Sequence, residues 1–341
     1  MDNIIYEHLW AQSSKFETYE TILTQNKCVV FFDGAVEFEL TPLTKRLVQT
    51  DILEKAEKVI WISGGFDLGD MNFITIPNNF EIYHWPTFFF TNTVLNLETF
   101  PIWTQFKKDI SSIHDIKHKF ISYNRKSHNH RCLLIDQFAK YDLIKDNLVS
   151  WQLPTSDFNF RHFKQEVLSI DQPHLTLDDL NAQHILAPNH NNAFMNVIAE
   201  SSTSEPIFIT EKTVKALVAG DIFLVFGSRG FHSKLKELGF ELFTEIFDYS
   251  FDSKDTYSRL NGVIENINKL PEDYNTLSSI KESLRDKIIH NHNLAIEIAR
   301  STKYINPGTL EVLNTYFDSI DKEFTTHKTV KYLNLWKKIY T

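Results

Sequence analysis

The chain has 341 residues, enough for two domains of ordinary size. Hydrophobic residues make up 42% and charged residues 23%, with only 10 Gly and 10 Pro, which excludes collagen-like and extended disordered readings. A formal charge of -9 argues against a general nucleic-acid binder, although a local basic cleft stays allowed.

Two cysteines, Cys28 and Cys132, stand far apart, so a disulfide scaffold is not expected and a reducing compartment fits. The opening MDNIIYEHLW has no basic region followed by an apolar run, and it does not read as a signal peptide. No stretch reaches the roughly 20 apolar residues of a membrane helix. The expectation is a soluble, cytoplasmic protein without a transmembrane segment.

Residues 1–25 read as one or two helices. CVVFF at 28–32 is a buried strand that ends on Asp33-Gly34. Residues 41–57 look helical. VIWIS at 59–63 is a second strand, followed by Gly64-Gly65, then Asp67 and Asp70. Short strands are expected at 72–76 and 80–84. The aromatic run TFFFTNT after Pro86 lines a cleft or, for most of its Phe residues, packs in the core. Alternating helices and strands with acidic strand ends predict an α/β domain over 1–115. A carboxylate at a strand end is placed to serve as a general base, and Asp33, Asp67 and Asp70 are the candidates. Gly64-Gly65 permits close ligand approach, which favours Asp67 and Asp70.

Residues 105–118 form the candidate linker, and a second α/β domain is expected over 116–305. KFISY at 119–123 reads as a strand feeding a basic loop, Asn124 to Arg131, and then a helix. A strand, a basic loop and a helix start make a phosphate-binding arrangement, with Arg131 and Arg125 as the candidate cations. His128 and His130 are spaced by two, but no Cys or acid nearby completes a metal set. Asp33, Asp67 and Asp70 do not form the Asp-X-Asp motif of metal-dependent transferases either. Residues 150–180 are polar and aromatic, and no spacing there supports a role for Arg161 or His162. AFMNVIAE at 193–200 reads as a strand.

The stretch at 198–231 carries the most chemistry. Thr210 is a good N-cap, and Glu211 suits the positive end of a helix. Val214, Leu217 and Val218 make one apolar face, Gly220 closes the helix, and Ile222 to Phe226 is a strand covered on both sides. Gly227-Ser228-Arg229-Gly230 turns at that strand's carboxyl end, where ligands of open α/β sheets bind. The Glu211-Lys212 pair can divide a nucleotide, the carboxylate meeting ribose and the ammonium meeting phosphate. Ser202 is a further short donor upstream.

Glu200-Ser201, Thr210-Glu211-Lys212 and Ala219-Gly220 before an apolar strand resemble the donor motif of α1,3-fucosyltransferases. The likeness covers about the second half of the chain. It departs from the family at Ser202, where Asn is usual, and near Ile222 or Phe223, where Pro is usual. The resemblance implies a GT-B-like fold, two Rossmann-like domains facing a cleft, and a nucleotide-sugar donor such as GDP-fucose held without a metal or other cofactor. It places Glu211 on the ribose and Lys212 and Arg131 on the diphosphate, beside Arg125, Ser202, Thr210 and Gly227. The acceptor would be a glycan or another hydroxyl on the side of the domain over 1–115, where inverting sugar transfer would use Asp33, Asp67 or Asp70 as general base. The alternatives are a transferase acting on modified DNA bases and a non-catalytic nucleotide-binding protein.

After Phe231 a short helix, a strand-like piece at 241–246 and helices over 256–270 and 273–300 are expected. His290 and His292 fall on a solvated face of the last. Residues 306–341 read as two helices, and the resemblance to GT-B enzymes implies a tail that could pack back on the first domain. In their aromatic-basic end, Trp336 with Lys337 and Lys338 makes peripheral membrane contact a further reading.

Overall fold

The computed structural model describes residues 4–8, 28–33, 53–64, 66, 78–99, 110, 115–151, 157–168, 188–204 and 207–317. The chain divides into two compact units, Met1–Leu95 with Glu297–Thr341, and Asn96–Ile296. The divisions expected at 115/116 and 305/306 fall inside the second and first of these. Among the described residues each unit holds one all-parallel, four-stranded sheet, and the fold class is α/β.

In the first unit, β1 (Ile4–His8), β2 (Cys28–Asp33), β3 (Lys58–Ser63) and β4 (Phe80–His84) pair in sequential order. The helical expectation for the N-terminus is thus corrected over residues 4–8. Ile4 and Ile5, paired with Cys28 and Val29, supply the branched side chains that suit a strand, and tertiary pairing outweighs the mixed charge around them. Asp33, Ser63 and His84 stand in register across the carboxyl ends of neighbouring strands. The aromatic run then forms helix α1 (Phe88–Thr99), with Phe88, Phe89 and Phe90 all buried. Trp85 packs edge-on against Phe88 at 5.4 Å. These rings are core, not a cleft lining.

In the second unit β5 (His118–Asn124) leads into α2 (Asn129–Lys140) and β6 (Leu148–Trp151), a strand that the polar reading of 150–180 missed. Then come β7 (Ala193–Ala199), α3 (Glu211–Ala219), β8 (Ile222–Phe226) and α4 (Phe231–Glu237). Every residue of β7 and β8 is buried, as expected for parallel strands covered on both faces. Gly220 adopts φ 64°, and a Cβ there would meet Ile110 at 2.7 Å, so glycine is required twice over. Residues 241–246 form no strand. Instead α5 (Thr256–Asn268) follows, and the long helix expected over 273–300 is broken at Leu284 into α6 (Tyr274–Ser283) and α7 (Arg285–Arg300). His290 is exposed as expected. His292 is half-buried, its Nδ1 donating to the Val218 carbonyl at 2.7 Å, so it caps the C-terminal turn of α3.

The chain then rejoins the first unit as α8 (Pro307–Phe317), opening on a proline whose missing N–H costs nothing at a helix start. Thr309 Oγ1 donates to the His84 carbonyl at 2.9 Å and fastens the helix to the end of β4. Among the described residues no helix is long and apolar enough to cross a membrane. Trp336, Lys337 and Lys338 lie outside the described residues, as do Asp67 and Asp70.

Candidate diphosphate-binding site

The strand order of the second sheet is β6-β5-β7-β8. From β5 the chain steps to one side, returns across the sheet, and then builds outward on the other side. Right-handed crossovers put α2 and α3 on opposite faces. The loops after β5 and β7 therefore diverge, and the crevice between them is where open α/β sheets take ligands. The first loop feeds His130 and Arg131. The second runs from Glu200 to Thr210.

Side chains from both loops meet there. Arg131 Nη2 donates to the Glu200 carbonyl at 3.3 Å, and His130 Nε2 reaches the same oxygen at 2.7 Å. Arg131 sits in the first turn of α2, and it is buried. From α3, Lys212 Nζ donates to Ser201 Oγ at 2.9 Å, to Thr210 Oγ1 at 3.2 Å and to Glu211 Oε1 at 3.0 Å. These three acceptors match the three ammonium protons. The Lys212 side chain remains 23% exposed, so the charge is pre-positioned at a surface and not sealed away.

Glu200 is the hub, and its role was not read from the motif. Its carboxylate is fully buried and accepts from Ser201 N at 3.1 Å, Thr210 N at 3.2 Å, and Thr210 Oγ1 and Thr213 Oγ1 at 2.5 Å each. Four donors on one buried carboxylate replace its lost water. They also lock the end of β7 to the start of α3. Thr210 caps the helix as expected, accepting from Lys212 N at 3.4 Å while its hydroxyl proton goes to Glu200.

The loop after β7 is stapled again further along. Ser228 Oγ donates to the Ser204 carbonyl at 2.6 Å, and Ser202 Oγ lies 2.7 Å from Ser204 Oγ. Arg259 on α5, buried, donates through Nε to the Gly227 carbonyl at 3.1 Å and through Nη2 to the Thr203 carbonyl at 2.7 Å. One guanidinium thus ties the loops after β7 and β8. Arg259 gave no signal in the sequence, because it lies 56 residues from Thr203 on an ordinary amphipathic helix. Gly227 is needed for close packing: a Cβ there would stand 2.8 Å from the Phe231 ring.

The other expected residues fall as follows. Glu211 is buried and paired with Lys212. Arg125 is exposed on the loop after β5. Asp33 ends β2 in the first unit. His128 and His130 stack at 5.9 Å, and among the described residues no group of three His, Cys, Asp or Glu is arranged to hold a metal.

The electrostatics follow from burial first and from crowding of like charge second. Burial first, then Arg131, with His128 and Lys212 adding to them, pushes the His130 imidazole down to about 4, although its bond to the Glu200 carbonyl opposes this. Burial likewise lowers the half-buried Lys215, one turn along α3, to about 8, with Glu211 opposing.

No protein-family model and no curated protein matches the chain. One solved structure does, described as the DNA modifying enzyme beta-glucosyltransferase in the presence and absence of the substrate uridine diphosphoglucose. It has a TM-score of 0.40 and 11% identity over 88% of this chain and 80% of that one. A likeness this loose carries no activity across to this chain.

Proposed function

We propose that the protein is a glycosyltransferase whose second unit binds a nucleotide-diphosphate sugar. The observation that carries this reading is the meeting of Arg131 and Lys212 at Glu200-Ser201, where the strand order reverses. Two cations from separate helix starts, held before any ligand arrives, suit a pyrophosphate. Preorganised charge aimed at a departing diphosphate is a large catalytic term, and it does the work that a metal does in other transferases. No metal or other cofactor is therefore invoked. The likeness of Thr210-Glu211-Lys212 to the fucosyltransferase motif supports the same reading and points to a GDP-fucose-like donor. The acceptor is a glycan or other hydroxyl brought to the first unit, where Asp33, Asp67 or Asp70 removes its proton and the sugar is transferred with inversion.

In this reading a donor phosphate takes one of the three Lys212 protons now shared with Ser201, Thr210 and Glu211. Lys212→Ala and Arg131→Ala each lower sugar transfer by about 10²–10³-fold or more, while the far-ultraviolet spectrum and melting profile stay close to the parent's. Near-normal turnover in either purified variant rules the assignment out. Donor binding without any turnover, followed over a panel of GDP and UDP sugars, points instead to a non-catalytic nucleotide-binding protein.

A further inference from the structure

The resemblance to fucosyltransferases assigns nothing to His130, yet its ring lies inside the cationic cluster. Its Nε2 faces the Glu200 carbonyl at 2.7 Å, and a carbonyl only accepts, so Nε2 carries the proton of the neutral ring. Nδ1 is then the site for a second proton. The groups around the ring are known from each element packed on it. Arg131 and His128 lie on its own helix or beside it, and Lys212 comes from α3. The Phe226 ring of β8 stands edge-on at 6.2 Å. Three of these four neighbours are basic, and the fourth is apolar. Burial and these basic neighbours outweigh the Glu200 carbonyl, which alone favours an imidazolium, and so the ring stays neutral well below its ordinary range.

We propose that His130 belongs to the diphosphate site and takes up a proton at Nδ1 from solvent when a pyrophosphate seats against Arg131 and Lys212. This rests on the donor-binding reading above. Two negative phosphates beside Arg131 and Lys212 cancel the like-charge repulsion and offset the burial cost that together keep the ring uncharged. His130 then becomes a third cation on the ligand. It charges only when the anion is present, so the empty site avoids holding three crowded like charges. By linkage, a proton gained on binding makes affinity rise as pH falls.

The test uses calorimetry with GDP-fucose and with UDP-glucose, in buffers of different ionisation enthalpy. A nucleotide sugar carries a pyrophosphate diester with no proton to titrate near neutrality, so uptake reports on the protein. The expected result is buffer-dependent binding heat equivalent to a substantial fraction of one proton near pH 6. Affinity should rise by up to about tenfold per pH unit on acidification and level off near pH 4, where the free ring charges by itself. His130→Asn, which keeps a donor for the Glu200 carbonyl, should bind with buffer-independent heat. A second readout needs no variant: the His130 ring-carbon resonances in the intact protein should move to imidazolium values when donor is added. Donor binding with no proton uptake, or uptake that persists in His130→Asn, overturns this inference and leaves the donor site standing. Failure of every nucleotide sugar to bind overturns both.

Discussion

The two sheets are built from the same parts and differ in one respect. Both have four parallel strands, and both bring polar residues to the carboxyl ends. In the first, among the described residues, the order is β1-β2-β3-β4, sequential from one edge to the other. In the second the order reverses beside β5. Among the described residues it is there that two loops part and leave backbone and side chains facing a shared space. His130, Arg131, Glu200, Ser201 and Lys212 all gather at that place. Asp33, Ser63 and His84 simply run in register along theirs. The lesson is that a parallel sheet gains a ligand site from its strand order before it gains one from its residues.

This contrast can be broken or sharpened by substitutions whose effects on donor binding differ in size. The largest is expected from Glu200→Ala. It strands four buried donors around an empty place, at about 3–5 kcal/mol of stability, and frees the start of α3. Urea unfolding and donor titration should fall together. If donor affinity survives in the folded fraction, Glu200 does not organise the site. Gly227→Ala comes next. The new methyl meets the Phe231 ring, costs about 1–3 kcal/mol, and shifts a loop that Arg259 holds, so a several-fold weaker Kd should accompany a lower Tm. The smallest effect on binding is expected from Asp33→Asn in the first unit. Donor affinity should match the parent's, while transfer falls by about 10²–10⁴-fold if Asp33 is the base. A weakened donor Kd in this variant contradicts the assignment of donor binding to the second unit alone. Unchanged transfer moves the base to Asp67 or Asp70.

Much of the local structure was legible in the sequence. Thr210, the Val214-Leu217-Val218 face, Gly220 and the run Ile222 to Phe226 mark α3 and β8 to within a residue, because caps, helical periodicity and left-handed glycine are short-range effects. The N-terminal strand was misread because Ile4 and Ile5 become strand residues by pairing with Cys28 and Val29, which no local window contains. The break at Leu284 was hidden in the same way, since the apolar spacing runs on across it.

What the sequence by itself determined is the set of charged groups and the elements that carry them. Arg131 and Lys212 are placed at helix starts by nearest-neighbour chemistry alone. The tertiary structure decided which of those groups act on one another. The Glu200 carbonyl joins residues 70 and 69 positions away, and Arg259 ties a loop 56 positions distant. Such contacts are set by strand order and handedness, which depend on how whole elements pack and leave no periodic trace in the chain.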